Sequence, residues 1–283
     1  MRARKPIIAI MYDFDKTLCT RDMQEYTFIP TLGLSSKEFW QQSSALAQKE
    51  KMDRILAYMY LMIKKSKSAS QPIRRDDFVK LGKDVEFFDG VLTWFDRIKQ
   101  YGHEKGAIIE HYIISSGLKE IIEGSKIEKY FKEIYACEFH YDENGVADWP
   151  LLSVNYTTKT QFLFRINKGV LDISNDTDLN KYVEDDDRAI PFRNMVYIGD
   201  GLTDVPCMKL VKINGGYSIA VYPKRKKVKV ENLLKDNRVD FITLADYSEN
   251  SELDSIIKKI IDKIVIVSDL VAINQKQIKG ISQ

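Results

Sequence analysis

Short, mostly apolar runs recur along the chain at intervals that suit a sheet with helical connections. The first is Ile7–Tyr12, which is followed directly by Asp13. An almost unbroken apolar run of this length is typical of a strand that is buried on both faces of a parallel sheet. Further runs of this kind predict strands at Tyr112–Ile114, Met195–Ile198, Ser218–Tyr222 and Asp240–Thr243.

Segments with helical periodicity lie between these predicted strands. They are Gly90–Tyr101, Thr160–Lys168, Val205–Val211 and Leu253–Ile266. Strands that alternate with helices predict an α/β fold with a doubly wound parallel sheet, because each parallel pair needs a crossover connection that covers one face. In such a sheet the ligand site lies outside the carboxyl ends of the strands.

Two segments interrupt this alternation. Residues 20–88 contain no convincing strand but carry long helical patterns, of which Lys37–Gln48 and Met52–Lys65 are the clearest. We interpret this block as an inserted helical domain, with 1–19 and 89–283 forming the core. The second segment, Cys137–Asn155, has a turn signal between apolar flanks and predicts a hairpin.

The amino-acid composition restricts the kinds of binding partner that we expect for this protein. The chain has 283 residues, 44% of them hydrophobic, which is enough for a sizeable core. Its 43 Lys+Arg and 41 Asp+Glu give a net charge of +2, so we predict neither nucleic acid nor a membrane as a partner. The apolar stretch Ile256–Ile273 is interrupted by charges and fits an amphipathic helix. Three cysteines without metal-type spacing favour a reducing cytoplasm over a disulfide framework or a zinc site.

Two carboxylates follow the first predicted strand, in the run Asp-Phe-Asp-Lys-Thr-Leu that begins at Asp13. Side chains two residues apart in an extended chain point to the same side, so Asp13 and Asp15 can address one ligand. One of them can act as a nucleophile and the other as an acid or base. A solvated loop or a helix cap explains such a pair equally well when it is considered alone.

Polar residues also end two later strands. Ser115, Ser116 and Gly117 follow Tyr112–Ile114 and can offer a hydroxyl and backbone N–H groups to an oxyanion, although a helix N-cap is the alternative interpretation. Asp200 and Asp204 lie in Gly-Asp-Gly-Leu-Thr-Asp after another strand. Their hard oxygen atoms suit Mg²⁺.

A lysine stands between these clusters. Lys159 lies just ahead of a helical run, in Thr-Thr-Lys-Thr. A single lysine is most often solvated surface, so its pattern alone predicts no function.

Taken in order, these four elements resemble the four motifs of the haloacid dehalogenase (HAD) superfamily. They match its DxDxT strand end, its strand that ends in Ser or Thr, its Lys before a helix, and its GDxxxD strand end. The inserted helices resemble the C1-type cap, and the phosphoserine-phosphatase-like branch is the best match. The resemblance implies a Rossmann-like core and Mg²⁺-dependent hydrolysis of a small-molecule phosphomonoester through an aspartyl-phosphate.

The resemblance also implies residue roles. Asp13 would attack phosphorus, and Asp15 would protonate the leaving oxygen and later activate water. Mg²⁺ would be held by Asp13, the backbone carbonyl of Asp15 and Asp200, with Asp204 orienting Lys159 or a metal-bound water. The phosphate would contact Ser115, Ser116, Gly117 and Lys159, and Thr17 would stabilise the motif-one loop beside it.

Asp22 stands where phosphoserine phosphatases have a glutamate that recognises the substrate amine, and Lys16 is bulkier than their usual residue. A carboxylate near the aromatic residues of the inserted helices predicts an amine-bearing leaving group. The competing interpretation is that Asp22 caps a helix and that the substrate is a sugar or polyol phosphate. A phosphotransferase, a phosphonatase and a non-catalytic phosphometabolite-binding protein remain alternatives. Dehalogenation is disfavoured because Asp15 and Asp200 suit phosphate chemistry.

Overall fold

Seven strands form the centre of the part of the chain that the computed structural model describes, residues 5–26, 28–224 and 227–281. Their order in the sheet is β4-β3-β2-β1-β5-β6-β7, and every neighbouring pair except β3–β4 is parallel. The prediction of a doubly wound parallel sheet is therefore confirmed. The strands are β1 (Ile7–Tyr12), β2 (Ile108–Leu118), β3 (Phe131–Tyr141), β4 (Ala147–Leu152), β5 (Met195–Gly199), β6 (Tyr217–Tyr222) and β7 (Phe241–Leu244).

Helices connect the strands. They are α1 (Met23–Tyr26), α2 (Phe28–Thr31), α3 (Ser36–Glu50), α4 (Arg54–Ser68), α5 (Arg75–Leu81), α6 (Val91–Glu104), α7 (Lys119–Glu123), α8 (Lys159–Lys168), α9 (Asp176–Asn180), α10 (Val205–Ile213), α11 (Val228–Lys235) and α12 (Glu252–Ile281). Each helix predicted from periodicity is present. The hairpin is present as antiparallel β3–β4, although β3 begins before the predicted segment. No helix of the described residues is both long and apolar enough to cross a membrane.

The middle strand β1 positions the candidate site. Residues 8–12 are completely buried, as expected for a strand that is covered on both faces. Tyr12 is level with Ile113 of β2 and with Ile198 of β5, and the amide of Asp13 donates to the carbonyl of Ile198 (2.9 Å). The carboxyl ends of β1, β2 and β5 therefore meet at one edge of the sheet.

Helices α1–α5 are inserted between β1 and α6. A capping box of Ser35 and Glu38 starts α3, and the Asp53 carboxylate accepts from two amides at the start of α4. The chain enters and leaves this insertion through adjacent segments: Thr20 N donates to Glu86 O, and Phe88 N donates to Leu18 O, both at 3.0 Å. The described residues of this block contain no strand, as predicted.

Candidate active site

Lys159 lies between two carboxylates at the carboxyl edge of the sheet. Its Nζ donates to Asp13 Oδ1 and to Asp204 Oδ1, at 2.7 Å each, and the residue is 1% exposed. A turn in which Asn155 accepts from the amide of Thr158 places Lys159 at the first position of α8. Burial by itself lowers the pKa of this ammonium, but Asp13 and Asp204 outweigh burial and raise it. Lys159 is therefore a fixed positive charge.

Asp13 is buried directly beyond β1. Burial is the largest influence on its carboxyl and raises the pKa to about 6, although Lys159 opposes the shift. The following turn passes through Lys16 with a φ of 59°, which brings Thr17 Oγ1 within 3.5 Å of Asp13 Oδ2. Tyr247 holds this turn from the core side, because its hydroxyl donates to the Thr17 carbonyl (2.9 Å). The backbone of the motif-one loop is thus fixed around Asp13.

Asp13, Asp200 and Asp204 form a carboxylate cluster whose oxygen atoms lie within 4.8 Å of one another. Burial is the main cause that raises the pKa of Asp200 to about 8, and the negative charges of Asp13 and Asp204 contribute to the same shift. Three carboxylates beside one ammonium leave excess negative charge, and hard oxygen ligands suit Mg²⁺. The residues present therefore fit this ion.

The members of the cluster differ in what they can offer to a metal. Asp13 and Asp200 line a cavity and would hold the ion, together with the Asp15 carbonyl from outside the cluster. Asp204 is completely buried behind them, where it accepts from the Tyr197 hydroxyl (2.8 Å) as well as from Lys159. This geometry suits Asp204 to positioning Lys159 rather than to contacting a ligand in the cavity.

Asp15 is fixed by its backbone neighbours. The amide of Met23 donates to Asp15 Oδ1 at 2.8 Å. A Cβ atom on Gly117 would stand 2.9 Å from Asp15 Oδ2 and 2.2 Å from the end of Met23, so a larger residue here would have to displace these side chains. Burial raises the pKa of Asp15 well above its ordinary value, and the negative charges of Asp22 and Asp13 raise it further. A carboxyl in this environment holds a proton readily.

The structure separates the two adjacent serines. Ser115 is completely buried, does not line the cavity, and accepts from the Gly117 amide (3.0 Å), which engages that N–H and one lone pair of the Ser115 hydroxyl. Ser116 lines the cavity, and its hydroxyl is shielded from solvent without a hydrogen-bond partner among the described residues. The phosphate contacts expected of Ser115, Ser116 and Gly117 remain predictions, and among the three only Ser116 lines the cavity.

The cavity has a volume of about 690 Å³ and three kinds of wall. The sheet edge supplies Asp13, Asp15, Lys16, Ser116, Lys159 and residues 200–203. The insertion supplies Asp22, Gln24, Trp40, Ser43, Ser44, Arg54, Ile55 and Tyr58. The α11 region supplies Asn232, Leu233, Asp236 and Arg238. The sequence motifs identified much of the first wall. For the other walls, the sequence suggested Asp22 and the aromatic residues Trp40 and Tyr58, whereas the remaining residues belong to no motif.

Asp22 lines the cavity, but its carboxylate is not free. Lys16 Nζ forms an ion pair with Asp22 Oδ2. Burial lowers the pKa of Lys16, and the nearby Asp22 carboxylate overcomes this and raises it. The pair therefore presents little net charge to a substrate.

Comparison with known proteins agrees with the geometry. The sequence model of the haloacid dehalogenase-like hydrolases matches residues 10–209, which include all four motifs. The chain belongs to the haloacid dehalogenase-like hydrolase family. The family predicted from the motifs is thus confirmed. An uncharacterized protein of Borreliella burgdorferi is 28% identical over 280 residues, covering 89% of this chain and 96% of that protein.

Solved structures of HAD proteins share the fold. A HAD-family hydrolase from Salmonella enterica serovar Typhi has a TM-score of 0.57 at 18% identity and covers 88% of this chain and 73% of its own. A substrate-bound phosphoserine phosphatase has a TM-score of 0.57 at 15% identity, and the match covers 90% of this chain and 99% of that chain. A phosphoserine phosphohydrolase-like protein from Francisella tularensis has a TM-score of 0.52 at 18% identity. The match covers 84% of this chain and 94% of that chain. The predicted phosphoserine-phosphatase-like branch thus agrees with the fold.

Proposed function

We propose that this protein is a Mg²⁺-dependent phosphatase that hydrolyses a small-molecule phosphomonoester through an aspartyl-phosphate. The observation that carries the proposal is the buried contact between Asp13 and Lys159, at 2.7 Å, on a cavity that Asp15 and Asp200 also line. A carboxylate paired with a fixed cation and faced by a proton-bearing carboxyl is suited to nucleophilic substitution at phosphorus.

Asp13 begins the reaction. Its free oxygen forms a bond to phosphorus while the bond from phosphorus to the alcohol oxygen breaks, and Asp15 gives its proton to that oxygen. Lys159 keeps Asp13 ionised and, with the Ser116 hydroxyl, receives the non-bridging oxygens. Asp13, the Asp15 carbonyl and Asp200 would hold Mg²⁺, which would neutralise the charge between carboxylate and phosphate.

Asp15 also completes the cycle. After the alcohol leaves, the Asp15 carboxylate removes a proton from water, and the water oxygen bonds to phosphorus as the acyl-phosphate bond breaks. The products are inorganic phosphate and the restored Asp13. The surroundings of Asp15, with burial and two neighbouring carboxylates, favour the proton-bearing form needed for the first step.

We further propose that residues 20–88 act as a cap over this site. Helices α1, α3 and α4 provide cavity-lining residues, so the insertion faces the leaving group. Its two adjacent connections at 18–20 and 86–88 would let it move as a unit and exclude water from the aspartyl-phosphate.

The direct test is a phosphatase screen over phosphorylated metabolites with Mg²⁺, including phosphoserine, phosphocholine and phenyl phosphate. We expect release of inorganic phosphate from at least one ester. If no ester releases phosphate and no substrate-derived phosphate labels the protein, the proposal is wrong.

Ser116→Ala should lower kcat/KM by at least about 10-fold, because a hydroxyl that contacts the phosphoryl group in the transition state is lost. Ser115→Ala is the matched control and should change kcat/KM by less than about 3-fold, since its hydroxyl faces Gly117. Steady-state kinetics with phenyl phosphate measure both variants. A larger loss at Ser115 would restore that residue as the phosphate ligand.

Activity should disappear on chelation and return when Mg²⁺ is added. Asp200→Asn should raise the Mg²⁺ concentration for half-maximal activity by at least about 10-fold, because a charged ligand becomes a neutral one. Asp77→Asn, on the exposed surface of α5, should leave that concentration unchanged. Full activity in the presence of excess chelator would refute the metal requirement.

A further inference from the structure

Two polar side chains of the inserted helices have no partner although they are buried. Gln24 is 2% exposed and Ser43 is 5% exposed, and both line the cavity. Neither side chain forms a hydrogen bond with the described residues, and Gln24 Oε1 is shielded from solvent. Buried polar groups in native proteins are nearly always hydrogen-bonded. The unpaired amide oxygen of Gln24, on the same cavity wall as the Ser43 hydroxyl, therefore indicates a group that a ligand satisfies.

Three of their polar neighbours on the same wall, Tyr58, Trp40 and Asp22, are already engaged. The Tyr58 hydroxyl donates to the Ser116 carbonyl (2.8 Å), and Trp40 Nε1 donates to Glu25 (3.1 Å). The Asp22 carboxylate is paired with Lys16, so a cationic leaving group would have to displace a lysine to reach it. These contacts disfavour the amine-bearing substrate and leave Gln24 and Ser43, together with Ser44 and Arg54, as the available hydrogen-bonding groups of this wall.

Gln24 is also close to the reacting end of the site. It follows Met23, whose amide holds the Asp15 carboxylate that protonates the leaving oxygen. An amide can donate and accept, and a serine hydroxyl can do both as well. The ligand groups that match both side chains without adding charge are alcohols.

We propose that Gln24 and Ser43 bind hydroxyl groups of the leaving group, so that the substrate is a polyol or sugar phosphate. This inference rests on the proposed phosphatase function. In this arrangement the two residues determine specificity, whereas the sheet edge performs the chemistry on the phosphoryl group. The inserted helices then select the alcohol by satisfying its hydroxyls at two fixed positions.

The test compares Gln24→Leu and Ser43→Ala on glucose 6-phosphate, glycerol 3-phosphate and phenyl phosphate. The polyol phosphates should lose at least about 10-fold more kcat/KM than phenyl phosphate, because unpaired hydroxyls in a closed site are rejected. Gln42→Leu is the matched control, since Gln42 is exposed on α3 outside the cavity. It should leave all three substrates unchanged. Thermal melts establish folding, and Ser43→Ala, which removes one oxygen atom, provides a test that does not depend on Gln24.

Equal losses on all three substrates would show a structural role and overturn the inference. A wild-type enzyme that prefers phenyl phosphate or phosphocholine to both polyol phosphates would overturn it too. If no ester is hydrolysed, the proposed function fails, and binding of glucose 6-phosphate by calorimetry then decides the inference separately. Weaker binding by Gln24→Leu would support it, and unchanged or undetectable binding would contradict it.

Discussion

Asp13→Asn should give a folded protein whose phosphatase turnover is lower by at least about 10³-fold, equivalent to roughly 4 kcal/mol of barrier. The amide oxygen is a poor nucleophile, so the bond from Asp13 to phosphorus cannot form. The fold should survive because asparagine has nearly the same shape and its oxygen can still accept from Lys159, which keeps Asp204 as a charged partner. Turnover of phenyl phosphate and a thermal melt measure the two effects separately.

The same substitution tests the covalent step. Acid quenching of the wild-type protein during turnover should trap a phosphorylated species that mass spectrometry maps to Asp13, and Asp13→Asn should lack it. Asp148→Asn is a suitable control, because Asp148 is exposed and paired with His140 on the hairpin. Near-wild-type turnover by folded Asp13→Asn would show that another group attacks phosphorus.

The fold could be predicted where burial imposes a regular pattern of apolar residues on the sequence. Residues 8–12 have no exposed surface, so β1 is apolar at each of these positions and could be recognised without its neighbours. The end of α12 could not be placed in this way. The clearest periodicity predicted a helix to Ile266 and the stretch Ile256–Ile273 fitted an amphipathic helix, whereas the helix continues to Ile281, and Leu270 is 60% exposed. A helical segment that packs on no core needs no apolar face, so its sequence carries little periodicity.

The candidate site was predictable to the extent that parallel strands bring their ends together. Asp13 and Asp200 follow β1 and β5, whose register places them side by side, so the carboxylate cluster follows from topology. The choice between Ser115 and Ser116 as the residue on the cavity wall does not follow from topology. Successive side chains on a strand point to opposite faces, and the register of β2 with β3 shifts between Ile114 and Leu118. Across this shift β2 carries two more residues than β3, so strand alternation alone does not predict that Ser116 lines the cavity and Ser115 does not.

The contacts made by the inserted helices were beyond sequence reasoning for a different reason. Gln24 and Ser43 lie on separate helices, and they belong to one wall only because of how α1 and α3 pack over the sheet edge. The pairing of Lys16 with Asp22 is equally invisible in the sequence, since both residues look like solvated loop positions. Specificity is therefore the part of function that depends most on tertiary structure.

Lys159→Ala should reduce kcat by at least about 10²-fold, the largest loss that we expect from any residue outside the carboxylates. Without the ammonium, Asp13 loses the charge that keeps it ionised, and the non-bridging phosphate oxygens lose a donor. The variant should also be less stable, by about 3 kcal/mol in the free energy of unfolding, because two buried carboxylates lose their partner. Steady-state kinetics and urea unfolding measure these two losses.

Lys168→Ala is the matched control at the other end of the same helix. Lys168 Nζ donates to the carbonyls of Leu179 and Lys181, at 2.6 Å each. It therefore binds the C-terminal end of α9 and does not contact the carboxylate cluster. Its removal should change kcat by less than about 3-fold. The decisive comparison is kcat for the two variants under saturating Mg²⁺ and substrate. A greater loss at Lys168 would mean that the cation beside Asp13 is not the one that acts on the phosphoryl group, and the roles assigned to Lys159 and Asp204 would both have to be withdrawn.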